Sequence, residues 1–187
     1  MPLRILLADD QQMIREALAM ILDLEIDLEV VKQVGRGDEV LPAVRETRPD
    51  VALLDIEMPG ATGIEAAAEL ARSGLTSQTG APVRSLILTT FRRPGYLRRA
   101  LEAGASGFVV KDGTASQLAQ AVRRTAAGLR VVDSVLAEEA KWQGSSPLTG
   151  RETEVLRAAE TAGSVKEIAG MLGLSSGTVR NHLSAAM

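Results

Sequence analysis

Val51-Ala52-Leu53-Leu54-Asp55-Ile56-Glu57-Met58-Pro59-Gly60 decides the fold: an apolar run of strand length that ends on a carboxylate and breaks at Pro-Gly. With no polar residue alternating through it, Val51 to Leu54 reads as a strand buried on both faces, the habit of a parallel sheet covered by helices on each side. Four more such runs flank it: Leu3 to Ala8, Leu28 to Val34, Leu86 to Thr89 and Gly107 to Val110. Between them, Gln12 to Leu22, Asp38 to Glu46, Ile64 to Ala71, Tyr96 to Ala103 and Ser116 to Ala126 space apolar residues at threes and fours, the period of a helix resting on a sheet. Strand and helix alternate, so residues 1–126 are expected to form an α/β domain with a parallel five-stranded sheet.

The rhythm stops at Ala127. Residues 127–147 start near Gly128 and end in Gly144-Ser145-Ser146-Pro147, which reads as a linker, partly helical around Val135 to Trp142. Residues 148–187 carry helical signals only. Thr149 with Glu152 and Ser164 with Glu167 fit the capping box, Gly173 closes the second helix, and Ser175 or Ser176 caps a third. Between Ser73 and Pro82 the Gly/Ser/Thr loop is long, which reads as a tolerated surface insertion.

Composition removes several classes of function. The chain has no cysteine, which excludes a disulfide scaffold, a thiolate metal site and a cysteine nucleophile, and fits a reducing, cytoplasmic home. Asp9, Asp10, Arg15, Glu16 and Asp23 interrupt the first thirty residues, and no apolar run approaches the roughly 18 residues of a spanning helix, so no membrane insertion is expected. A formal charge of −3, with one Trp, one Tyr and two Phe, gives neither a broad basic footprint nor aromatic platforms for single-stranded nucleic acid.

Ligands of an open parallel sheet bind at the carboxyl ends of its strands. There this sequence places Asp9-Asp10 after the first strand, Asp55 after the third, Thr89 at the end of the fourth and Lys111 after the fifth. Three carboxylates brought together repel one another unless a cation joins them, and Mg²⁺ suits oxygen ligands with waters retained. Asp55 is then placed to attack a phosphoryl donor, with the metal and Lys111 neutralising charge on the transferred group and Thr89 and Lys111 receiving its oxygens.

Leu6-Leu7-Ala8-Asp9-Asp10, Leu54 to Gly60, Leu88-Thr89-Thr90 and Gly107-Phe108-Val109-Val110-Lys111, in order and at normal spacing, resemble the receiver domain of two-component response regulators. The resemblance implies a flavodoxin-like (βα)5 receiver. It implies that Asp55 accepts phosphate from a sensor histidine kinase, that Asp9 and Asp10 hold Mg²⁺ with the backbone carbonyl of Glu57, and that Thr89 and Phe108 form a switch pair. Asp112 follows Lys111 where many receivers have proline. The Glu57 side chain is expected to alter how water reaches the phosphorylated aspartate. Asp55 to Gly60 and Thr89-Thr90-Phe91-Arg92-Arg93-Pro94-Gly95-Tyr96 look closest to the branch that includes desaturase and membrane-fluidity regulators.

The C-terminal pattern predicts a helix-turn-helix, with Ile168, Ala169, Leu172, Val179 and Leu183 inward and Ser176, Thr178, Arg180, Asn181 and His182 toward solvent or DNA. His182, the only histidine, has no second histidine or cysteine with which to bind a metal. Leu148-Thr149-x-Arg151-Glu152-x-Glu154-Val155-Leu156, Lys166-Glu167-Ile168-Ala169 and Gly177-Thr178-Val179-Arg180-x-His182 resemble the LuxR-type (NarL/FixJ) output domain. That family continues into a fourth, dimerising helix, whereas residues 148–187 stop inside the third, at Met187, and are expected to be an incomplete output domain. Arg151, Arg157, Lys166 and Arg180 are here matched by Glu152, Glu154, Glu160 and Glu167. We therefore expect weak or absent promoter DNA binding by these 187 residues, with DNA binding belonging to the longer parent, whereas phosphorylation-promoted homodimerisation is expected of this chain itself.

Candidate dimer faces are the first and fifth helices, or the fourth helix, fifth strand and fifth helix with Arg92, Arg93, Arg98, Arg99, Arg123 and Arg124 beside Glu102. A non-enzymatic regulator is expected. Two other readings are an atypical receiver that works without phosphate as a ligand- or protein-interaction module, and an Mg²⁺-dependent phosphohydrolase built on Asp55-x-Glu57. The second would place its nucleophile and acid on the first strand, whereas Asp55 and Glu57 end the third, and no substrate cap domain is evident.

Overall fold

A strand apolar on both faces must lie inside a sheet, and β3 (Val51–Asp55), buried at every residue, does so. The computed structural model describes residues 1–90, 95–132, 150–160 and 162–186, apart from the side chains of 150–153, 181–182 and 184–186. It places β3 between β1 (Leu3–Ala8) and β4 (Arg84–Thr89), with β2 (Leu28–Val34) beyond β1 and β5 (Gly107–Val110) beyond β4, all parallel. The intervening helices are α1 (Gln12–Asp23), α2 (Val40–Thr47, after a 3-10 turn at Gly37–Glu39), α3 (Gly63–Ser73), α4 (Tyr96–Glu102) and α5 (Ala115–Ala126). The period of two along the strands divides the core. Leu6, Ala8, Ala52, Leu54, Ile87, Phe108 and Val110 pack with α2, α3 and α4, while Ile5, Leu7, Val51, Leu53, Leu86 and Leu88 pack with α1 and α5.

Among the described residues the sheet has six strands rather than the expected five, in the order β2-β1-β3-β4-β5-β6. β6 (Val131–Val132) lies in the stretch read as linker and pairs in parallel with Gly107 and Phe108 of β5. Gly128, at φ +80°, turns the chain out of α5, and the missing side chain of Gly107 admits the new strand: a Cβ there would stand 2.7 Å from the Val131 carbonyl. Two residues carry no readable periodicity, so β6 left no mark in the sequence pattern. Val135 to Trp142 and the Thr149 cap lie outside the described residues.

The Ser73–Pro82 stretch is also more ordered than a slack insertion. Thr76 and Pro82 form an antiparallel bridge, Ser77 is fully buried, and the Arg48 guanidinium donates to the carbonyls of Thr76 (3.3 Å) and Ser77 (2.8 Å).

The chain divides into two compact units, Met1–Lys141 and Trp142–Met187. In the second, α6 (Gly150–Ala159), α7 (Val165–Leu172) and α8 (Ser176–Ala186) enclose a small core of Val155, Ala158, Ile168, Ala169 and Val179. Gly173 at φ +63° closes α7 as expected. Among the described residues, no helix is long and apolar enough to cross a membrane.

Candidate functional site

Register brings the acidic residues together. Ala8 pairs with Leu54, so Asp9, one residue on from Ala8, comes beside Asp55, one residue on from Leu54, at the point where the strand order reverses about β1. One carboxylate oxygen each from Asp9, Asp10 and Asp55 lies within 4.8 Å of the others. Asp9 and Asp55 are buried and Asp10 is exposed. Lys111 follows β5, its side chain only 8% exposed, and its Nζ donates to Asp9 Oδ2 at 2.5 Å and pairs with Asp55 Oδ1 at 3.0 Å. Burial pushes the Asp55 carboxyl above its ordinary value; Lys111 pulls it back down, the Asp9 charge raises it again, and the Ile56 backbone hydrogen bond lowers it.

Three carboxylates facing one ammonium leave the cluster short of positive charge. Its donors are hard oxygens, with two walls buried and one open to water, which fits a Mg²⁺ ion that keeps part of its hydration. The residues that would hold it are Asp9, Asp10 and Asp55.

The other expected residues are distributed as follows. Thr89, buried at the end of β4, lies one residue past Leu88, the register partner of Asp55. Phe108, 1% exposed, lies opposite Ile87 and is packed into the core on the α3 and α4 side, the face that Thr89 shares by alternation. Glu57 is exposed in the loop after β3. The Lys111–Asp112 peptide is trans.

Sequence reasoning missed the devices that hold the site. The Gln11 N–H donates to Asp9 Oδ1 at 2.9 Å, fixing the carboxylate at the start of α1. After β3, Gly63 opens α3 with its N–H donating to the Ile56 carbonyl at 3.0 Å, so close that a Cβ at residue 63 would stand 1.9 Å from the Asp55 carbonyl oxygen. Thr62 and Glu65 cap that helix reciprocally, as Thr114 and Gln117 cap α5 beside Lys111. Both fit the Ser/Thr-x-x-Glu/Gln pattern used for the C-terminal helices, so a signal was present.

In the second unit Ser175, rather than Ser176, is the cap of α8: its Oγ accepts from the Thr178 N–H at 3.1 Å and bonds the Thr178 hydroxyl at 2.8 Å. Thr178 is thus half-buried with its hydroxyl engaged at the cap, Ser176 is half-buried, and Arg180 is exposed. Asn181 and His182 lie on α8, their side chains outside the described set. Ser164 caps α7 through the Glu167 N–H, but the Glu167 carboxylate reaches Gly163 N at 2.8 Å, one residue before the position of a full capping box.

Arg123 does not belong to the fourth-helix face. Its guanidinium binds Glu25 (2.7 Å) and Asp27 (2.6 Å) after α1. Arg98 pairs with Glu102 at 3.7 Å, Arg99 lies 5.9 Å from the Tyr96 ring centre, and Arg92 and Arg93 fall outside the described residues.

Comparison with known proteins agrees with this geometry. Residues 5–123 match the family of response regulator receiver domains, and residues 146–187 match the luxR family of bacterial regulatory proteins. The chain belongs to the response regulators of two-component systems that carry a LuxR-type DNA-binding output domain.

Among its relatives, the transcriptional regulatory protein DesR of Bacillus subtilis (strain 168) is 43% identical over 180 residues, covering 96% of this chain and 86% of that protein. The match is consistent with the expected desaturase branch. The DNA-binding transcriptional activator DevR/DosR of Mycobacterium tuberculosis (strain ATCC 25618 / H37Rv) is 34% identical, covering 97% of this chain and 85% of the relative. Of solved structures, the response regulator ChrA of a heme-sensing two-component system superposes with a TM-score of 0.65 at 33% identity, covering 98% of this chain and 87% of ChrA.

Proposed function

We propose that Asp55 is the phosphoacceptor of this response regulator and that phosphorylation drives homodimerisation to control promoter binding by the output unit. The observation that carries the reading is the triad of Asp9, Asp10 and Asp55 closed by Lys111 at 2.5 and 3.0 Å. A carboxylate oxygen of Asp55 attacks the phosphorus of a phosphohistidine on the sensor kinase, the P–N bond breaks, and the imidazole leaves with the electron pair. A bound Mg²⁺, held by Asp9, Asp10, Asp55 and the Glu57 carbonyl, would neutralise the carboxylates and the charge on the transferring oxygens. Lys111, already at Asp55 Oδ1, is placed to follow the phosphoryl oxygens, and the Thr89 hydroxyl to donate to them. Phe108, packed inward behind Thr89, supplies the other half of the switch.

Exposed apolar side chains favour the α1 side for the dimer. Met13 and Met20 lie seven residues apart on α1, and Leu24 and Ile26 follow it, all more than 70% exposed, beside the Arg123 cluster. Ser176, Thr178, Arg180, Asn181 and His182 of α8 are the proposed DNA-facing residues.

Incubation with acetyl phosphate and Mg²⁺ followed by size-exclusion chromatography tests the coupling. The wild type is expected to shift toward dimer while Asp55→Asn stays unchanged; equal profiles would refute it. Glu57→Ala is expected to change the half-life of the phosphorylated state, read by phosphate release, and equal half-lives would remove that role from Glu57.

A further inference from the structure

Arg15 is the cation beside the acidic cluster that the phosphoryl chemistry leaves without a task. It reaches back from the first turns of α1, and its Nη1 donates to the Asp9 carbonyl at 2.5 Å. The side chain is half-buried, and Gly35, just past β2, leaves it room: a Cβ there would stand 3.3 Å from Arg15 Nη1 and 3.9 Å from the Asp9 carbonyl oxygen.

Asp9 is consequently fixed at every polar atom. Its N–H donates to the Val34 carbonyl at 3.1 Å, Oδ1 accepts from Gln11 N, Oδ2 accepts from Lys111 Nζ, and the carbonyl accepts from Arg15. Asp10 is held differently. Among the described residues its carboxylate makes no hydrogen bond or ion pair and is exposed, so it is the backbone that sets where the Asp10 side chain starts and which rotamers reach the cluster. That backbone begins with the Asp9–Asp10 peptide, a rigid plane whose carbonyl end is the group Arg15 grips.

We propose that Arg15 is a positioning residue of the cation site, which aims the Asp10 carboxylate by clamping the Asp9–Asp10 peptide. The inference rests on the Mg²⁺ reading of the cluster. Its sign separates it from a charge effect. A guanidinium near the site repels a dication, so removing its charge alone would tighten Mg²⁺ binding. Removing a clamp loosens it, and loss of a group that orients a metal ligand costs about 10- to 100-fold in affinity.

Titration calorimetry with MgCl₂ on the 187-residue chain decides between them. Arg15→Met, which keeps the apolar stem, is expected to weaken Mg²⁺ binding about tenfold, and Arg15→Lys to recover part of the loss. With acetyl phosphate, Arg15→Met is expected to raise the Mg²⁺ concentration at half-maximal phosphorylation and to restore the wild-type rate at saturating Mg²⁺. A merely structural lesion would not give that split. Gly35→Ala, which keeps Arg15 but crowds its guanidinium, is the second variant and is expected to weaken binding in the same direction. Binding by Arg15→Met that equals or exceeds wild type overturns the proposal. A wild type that neither binds Mg²⁺ nor takes up phosphate overturns the underlying reading instead.

Discussion

Lys111→Met is expected to destabilise the metal-free protein by about 3–5 kcal/mol at neutral pH, because it removes one partner of a buried ion cluster and leaves the other charges uncompensated. The three side chains involved are nearly sealed from water: 8% exposed for Lys111, 1% for Asp9 and 8% for Asp55. The pH dependence follows from Asp55, already raised above 3.8 by burial and held back chiefly by Lys111. A carboxyl whose folded pKa lies above its unfolded value makes the folded state the tighter proton binder. Stability is then full below the unfolded value and is lost as pH rises through the folded one.

Without Lys111 the folded value of Asp55 rises further, so the variant's deficit should be largest near neutrality and shrink on acidification. Urea midpoints at several pH values in EDTA read this directly. Adding Mg²⁺ should return part of the lost stability, since the ion binds the same carboxylates and only in the folded state. Phosphorylation by acetyl phosphate should be slower by about a hundredfold, the scale of removing one donor from a developing oxyanion. An unchanged midpoint at neutral pH would contradict the cluster as described.

Gly63→Ala should be the most damaging single-methyl addition at the site. Its Cβ would fall 1.9 Å from the Asp55 carbonyl oxygen, a backbone atom that cannot swing aside, while the Gly63 N–H holds the Ile56 carbonyl. Overpacking of this kind costs about 1–3 kcal/mol or more, and here the displaced atoms belong to the phosphoacceptor loop. We expect a lowered urea midpoint together with weakened Mg²⁺ binding. Gly74→Ala, at the other end of α3 with open space around its Cβ position, tests backbone strain at φ +63° without touching the site. It should leave Mg²⁺ affinity unchanged.

What was legible in the sequence was legible for physical reasons. Val51 to Leu54 is apolar without alternation because both sheet faces are covered, and the same rule placed the strand ends at which Asp9, Asp55 and Lys111 meet. β6 escaped because its two residues are too few for a period and because Gly128 looks alike at the start of a linker or of a turn back to the sheet. Gly63 and Arg15 escaped because their roles are contacts with backbone oxygens a few residues back in the chain, and a main-chain acceptor leaves no residue-type signature. Arg123 was grouped with the basic residues near α4 because helix charge alone does not say which neighbour it meets; Glu25 and Asp27 decide that. Of the α8 residues assigned to DNA, Thr178 proved to have a hydroxyl bonded to the helix cap, a use that the cap pattern at Ser175 could have suggested.

If Asp55 is the group that receives phosphate, chemical trapping will find the phosphoryl group there. The protein is incubated with acetyl phosphate and Mg²⁺, reduced with borohydride to convert an acyl phosphate to the corresponding alcohol, digested, and its peptides weighed. Conversion of Asp55 to homoserine, dependent on Mg²⁺ and absent in Asp55→Asn, is the result predicted here. Conversion at another carboxylate, or none at Mg²⁺ concentrations shown to saturate the site, would contradict it and leave the acidic cluster as a cation site of a module that works without phosphate.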